Sequence, residues 1–240
     1  RNVPMAALFD GDQYLIEQYA IALTPGLRLL PSEQSLGDNL RAFTGGLSEP
    51  RQGFVALPEV ETEIDQIAKT LPAEVLLNDA FTQDRLREEI ADTPFPIIHL
   101  ATHGVFTSFP STTFILTWEG RVSVNEFENL LKARETGSNR PVELLVLSAC
   151  ETAAGDRRAA LGLAGMAVRS GARSTIATLW SVKDQSTARL MSEFYQRLSQ
   201  QQGNISKAEA LREAQLQLLR SEDFNHPFFW TPFVLVGNWS

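Results

Sequence analysis

Two short stretches carry the side chains that could do covalent chemistry. "IIHLATHG" ends an apolar run on His103 followed by Gly104, and "LLVLSAC" ends another on Cys150, the only cysteine in 240 residues. A thiolate attacks a carbonyl carbon, and an imidazole beside it favours that thiolate and later protonates a leaving amine. Gly104 has no side chain to obstruct a substrate, so its amide N–H and that of Cys150 are candidate donors to a developing oxyanion. With His103 as general acid and base and Cys150 as nucleophile, the chemistry is that of a peptidase, provided the two strand ends lie side by side.

The order of the two residues narrows the choice. His103 precedes Cys150 by about 50 residues, as in caspases, whereas papain-like enzymes place Cys first and α/β-hydrolases set their nucleophile in a Gly-x-Ser-x-Gly elbow. The caspase signature Gln-Ala-Cys-x-Gly is replaced by Ser148-Ala149-Cys150-Glu151-Thr152.

A sheet must hold such a pair. Residues 5–30 read as a hairpin turning at Asp10-Gly11, and residues 31–58 as Gly-, Pro- and Ser-rich loop with a short strand near Phe43. Pro58 opens a helix whose inner face is Val60, Ile64, Ile67 and Leu71, with Pro72 closing it. "AEVLL" is a strand, "TQDRLREEI" a helix, and "FPIIHLATHG" a strand apolar on both faces apart from His99. "FILTWEGRVSV" is a hairpin turning at Glu119-Gly120, followed by a helix around 125–133 and then the strand "VELLVLSAC". A small-residue helix, Ala159 to Ser170, ends at Gly171. "RSTIATLW" is a strand, "DQSTARLMSEFYQRLSQ" a helix with Leu190, Met191, Phe194, Tyr195 and Leu198 on one stripe, and Ser206 to Glu209 a capping box opening the last helix. "FFWTPFVLVGNW" closes the chain as a strand. Alternating strands and helices predict an α/β fold: a mostly parallel sheet with helices on both faces. Residues 1–57 form an N-terminal hairpin and loop subdomain, and 58–240 the catalytic core. Ligands gather outside the carboxyl ends of strands in such sheets, where His103 and Cys150 both fall.

Composition excludes several partners. With 21 basic against 29 acidic residues the net charge is −8, which disfavours nucleic acid and anionic membrane, since both require a basic patch. No apolar run approaches the roughly 20 residues of a membrane span. One cysteine cannot form an internal disulfide, so a reducing cytoplasm is the expected location. The chain begins at Arg1 without an initiator methionine, and we expect it to be the C-terminal part of a longer protein. A zinc site from His99, His103 and Cys150 lacks an accompanying carboxylate, and no cofactor is expected. His99 reads instead as a core histidine bonded to backbone that can also orient His103.

"IIHLATHG", "LLVLSACETAAGD", "GLAGMAVRSGARSTIATLWSVKDQST" and "HPFFWTPFVLVGNW" together resemble the CHAT domain, a caspase-like and separase-like peptidase module often found in bacteria behind tetratricopeptide repeats. The resemblance runs from the N-terminal segment to Trp239. It implies a caspase-type fold, a His103/Cys150 dyad, a protein substrate, and regulation by a repeat region in the same polypeptide or a partner. In separase the strand after the nucleophile helix carries an acidic "LWDV" segment that binds a basic residue before the cleaved bond. The matching positions here are Leu179, Trp180, Ser181, Val182, Lys183 and Asp184, which makes Trp180, Ser181 and Asp184 the substrate-binding candidates. Serine replaces the first acid, and Asp184 alone retains the charge. Asp184 also precedes a helix and reads as its N-cap. Trp180 reads equally as core or pocket wall, and Asp156, Arg157 and Arg158 as a solvated segment after the nucleophile.

Two other readings stand beside the cysteine endopeptidase. One is a catalytically silent interaction or scaffold domain on the same fold. The other is a thiol hydrolase of esters.

Overall fold

Apolar runs without alternation form strands covered on both faces, and the central strands follow that rule. The computed structural model describes residues 4–24, 36, 40–92, 95–106, 110–138, 141–148, 150–152, 171–200 and 205–240. The main sheet contains β1 (Ala42–Gly46), β2 (Ala73–Leu77), β3 (Ile97–Ala101), β7 (Leu144–Leu147), β9 (Ser174–Thr178) and β10 (Phe233–Gly237), in the order β10-β9-β7-β3-β1-β2. All pairs are parallel except β9 with β10. A smaller sheet of β4 (Gly104–Phe106), β5 (Phe114–Leu116), β6 (Arg121–Ser123) and β8 (Cys150–Thr152) runs in the order β6-β5-β4-β8.

The described longer helices are α2 (Glu59–Thr70), α3 (Gln83–Asp92), α4 (Val124–Ser138), α5 (Asp184–Gln200) and α6 (Lys207–Leu219); α1 (Leu15–Gln18) and α7 (Pro227–Trp230) are single turns. Alternate strand residues serve opposite layers. Ile98, Leu100, Leu145 and Leu147 pack with Leu86, Ile90, Phe127 and Leu131 from α3 and α4. Ile97, Leu144, Val146 and Ile176 pack with Ile67 of α2, Leu190, Met191 and Phe194 of α5, and Leu211, Ala214 and Leu218 of α6. The stripes expected on α2 and α5 are all buried, and the Ser206/Glu209 capping box is formed. Among the described residues, no helix is long and apolar enough to cross a membrane.

Four local expectations change. The Asp10-Gly11 turn is present, with Gly11 at φ 108°, but its flanks form one antiparallel bridge, Phe9 with Tyr14, rather than a ladder. Asp10 Oδ1 accepts the amides of Asp12 and Gln13, and Glu17 Oε2 that of Tyr14. Such local bonds compete with strand pairing, and α1 follows where the second strand was expected. The segment near Phe43 is no isolated strand: β1 lies inside the main sheet between β2 and β3, so residues counted with the N-terminal segment 1–57 belong to the core sheet. "LLVLSAC" is not one strand, because β7 stops at Leu147 and Cys150 opens β8 in the other sheet. The closing apolar run starts as α7, with Pro227 at its first turn, before becoming β10. The small-residue helix 159–170 and Asp156, Arg157 and Arg158 lie outside the described residues.

The two glycines that obscure β1 in the sequence are sterically required. A Cβ on Gly45 would come within 2.3 Å of the Phe81 ring, and one on Gly46 within 2.5 Å of Ile64 on α2. The absence of side chains lets α2 and Phe81 pack directly on the strand.

Candidate active site

The main sheet pairs β3 with β7, His99 opposite Val146 and Leu100 opposite Leu147. Both strands then leave it in the same way. After β3, Thr102 and His103 lead into β4; after β7, Ser148 is the last described residue before β8 begins at Cys150. The chains pair again in parallel in the small sheet, with Gly104 opposite Cys150. The His-Gly dipeptide and the cysteine, distant in sequence, are thus neighbouring rungs of one ladder at the carboxyl edge of the main sheet. The Ser148 amide donates to the Leu100 carbonyl at 3.1 Å and the Leu116 amide to that of His103 at 2.8 Å, so the step-off is hydrogen-bonded on both sides. Cys150 is described through its backbone.

His103 is buried, and its ring is held from two directions. Phe54 stacks on it with centroids 4.9 Å apart and a tilt of 31°. Its Nε2 is 2.8 Å from the Val55 carbonyl oxygen. A carbonyl can only accept, so Nε2 carries the proton and donates, and Nδ1 keeps the lone pair for proton exchange. Phe54 and Val55 follow a tight turn in which Gln52 and Gly53 have φ of 48° and 87° and the Phe54 amide donates to the Arg51 carbonyl. Gly53 suits that left-handed conformation. Sequence reasoning missed both residues, because Val55 acts through its main-chain oxygen and its side chain points to solvent at 72% exposure.

Of the proposed substrate contacts, Trp180 is half-exposed, stacked on Phe228 with centroids 6.1 Å apart, and donates its indole N–H to the Phe228 carbonyl. Ser181 is exposed. Asp184 is half-buried and its Oδ2 accepts the Glu59 amide at 2.7 Å. It is the first residue of α5 rather than the one before it, and the amide it binds is the first of α2 rather than one of α5. Burial pushes the Asp184 carboxyl up; the Glu59 amide opposes this, Glu63 and Glu59 add to it, and His103 pulls the other way.

His99 is fully buried and bonds to side chains rather than backbone. Its Nδ1 is 3.0 Å from the Tyr195 hydroxyl and its Nε2 2.8 Å from Glu63 Oε1. The second contact is misaligned for a hydrogen bond, and among the described residues neither Glu63 oxygen gains one elsewhere. Burial, then Glu63, pushes the Tyr195 hydroxyl well above its ordinary range. A signal for this group was present: Glu63 lies on the same helical stripe as Val60, Ile64 and Ile67. Among the described residues, no cluster of three or more metal-binding side chains occurs.

The fold and the step-off architecture define a caspase-like α/β domain. The family model of the CHAT domain matches residues 1–238, and the chain belongs to that family. Solved structures agree on the fold. The Arg-specific cysteine proteinase gingipain R superposes with a TM-score of 0.55 at 10% identity, over 85% of this chain and 48% of that one. The complex of Porphyromonas gingivalis RgpB pro- and mature domains gives 0.54 at 9%, over 84% and 48%. The Drosophila initiator caspase Dronc gives 0.51 at 7%, over 86% and 82%. The chain spans about half the length of the two gingipain chains. No curated protein matches it.

Proposed function

We propose that the domain is a cysteine endopeptidase in which His103 and Cys150 form the dyad. The observation that carries the reading is the ladder register that sets Gly104 opposite Cys150, with the preceding imidazole fixed through Nε2 by the Val55 carbonyl. His103 Nδ1 takes the thiol proton of Cys150, the thiolate attacks the scissile carbonyl, and the imidazolium returns the proton to the leaving amine. The Gly104 and Cys150 amides face the oxyanion. We assign Trp180 and Ser181, which follow β9, to substrate contact. The substrate is a protein, and a repeat region in the same polypeptide or a partner controls access.

The lone cysteine supplies the test. Alkylation of Cys150 by iodoacetamide is expected to persist well below about pH 8.5, where a free thiol titrates, and to lose that low-pH limb in His103→Ala. Slow alkylation unchanged by the substitution would defeat the dyad. Fragments released by wild type but not by Cys150→Ala support the peptidase, whereas a partner held equally by both forms, uncleaved, identifies the silent interaction domain.

A further inference from the structure

Asp184 was a candidate for substrate binding, yet its carboxylate is engaged within the protein. Pro58, the residue before α2, makes no side-chain capping bond. A helix start leaves amides that need acceptors, and the Glu59 amide finds one in Asp184, 125 residues away on α5. The segment entering α2 is the same one that holds His103: Phe54 stacks on the ring and Val55 accepts from Nε2. Between Val55 and Glu59 the chain is tied at Leu57, whose amide donates to the Ser48 carbonyl and whose carbonyl accepts from Val60. Only Ala56, Leu57 and Pro58 therefore separate the carbonyl that orients the imidazole from the amide anchored by Asp184.

Resting on the dyad proposed above, we infer that Asp184 is a positioning residue: by anchoring the first amide of α2 it fixes the loop whose Val55 carbonyl orients His103. At that anchor the Asp184 carboxylate is repelled by Glu63 and Glu59 of α2 and attracted by His103. Asp184 touches no reacting atom in this role. It acts through Glu59, the loop and Val55.

The test compares iodoacetamide alkylation of Cys150 from pH 5 to 9 in wild type, His103→Ala, Asp184→Ala and Asp184→Asn. A small displacement of a catalytic group is enough to lower a rate by about tenfold or more, so Asp184→Ala is expected to lose about tenfold at the low-pH end. Asp184→Asn keeps an oxygen acceptor and should recover most of that loss. Asp184→Ser covers the case in which the alanine variant does not fold. Serine suits the start of α5, but its hydroxyl is too short to reach Glu59, and the same loss is expected. If His103→Ala matches wild type, the dyad itself fails. If His103→Ala loses the low-pH limb while Asp184→Ala and Asp184→Ser keep it, or if Asp184→Asn is as impaired as Asp184→Ala, the positioning role is overturned and the dyad stands.

Discussion

Lys207, the first residue of α6, is fully buried, and among the described residues no hydrogen-bond partner reaches its Nζ. Burial lowers its pKa from 10.5 to about 8, with Glu143 partly offsetting this and Arg173 adding to it. Replacing it with methionine keeps most of the aliphatic stem and removes the charge. Below pH 8 both folded and unfolded chains carry the proton, so the cost of the buried ammonium is present in full. Between pH 8 and 10.5 the folded chain loses its proton first, and stability rises with pH; above 10.5 the cost is gone. The gap from 10.5 to about 8 corresponds to about 3 kcal/mol, at ~1.4 kcal/mol per tenfold change in proton affinity. Glu143 moderates the gain. Burial already raises its carboxyl, and it retains Arg173 at 3.2 Å but loses the attraction of Lys207. We therefore expect Lys207→Met to be more stable than wild type by about 2 kcal/mol at pH 7, with the two converging near pH 10.5. Urea denaturation at intervals from pH 6 to 10.5 measures the difference. All other titratable groups are common to both proteins and cancel. A variant less stable than wild type at pH 7, or a difference that does not shrink with pH, would refute the reasoning.

Gly45→Ala should lower stability by about 1–3 kcal/mol through overpacking, because the new methyl meets the Phe81 ring; adding Phe81→Leu should recover part of that loss in thermal melts. Glu63→Leu and His99→Leu should each destabilise by about 3 kcal/mol, since each strands one member of a buried pair. The double variant should lose less than the two together, by about 1–3 kcal/mol of coupling in a denaturation cycle.

The parts of the fold legible in the sequence are those where one side chain pattern decides the element. The α2 stripe from Val60 to Ile67, the α5 stripe from Leu190 to Leu198 and the Ser206 box each express a local period or cap, and all are formed as read. β1 was hard to read because its central position depends on what it lacks: Gly45 and Gly46 weaken the strand signal, and only the packed Phe81 and Ile64 explain them. The end of β7 was misplaced because the apolar run continues through Ser148-Ala149-Cys150 while the pairing partner changes from β3 to β4, a tertiary event without a local marker. At the site, the types of His103, Gly104 and Cys150 were informative. The Val55 carbonyl was not, because every residue has one. The first residue of α5 could be read as a cap, but which helix it caps depends on where α2 lies.

The step-off of β3 and β7 into the second sheet acts as a ruler. Paired strands stand about 4.8 Å apart, so the main-chain separation of His103-Gly104 and Cys150 is set by ladders above and below the step. Changing it means unzipping a sheet. Turning the imidazole means giving up its bond to Val55, a net change of about 1 kcal/mol. The architecture separates a stiff coordinate, which sets how far apart the His103 and Cys150 main chains stand, from a soft one, which sets how the imidazole is aimed. A signal arriving at residues 54–59 acts on the soft coordinate alone.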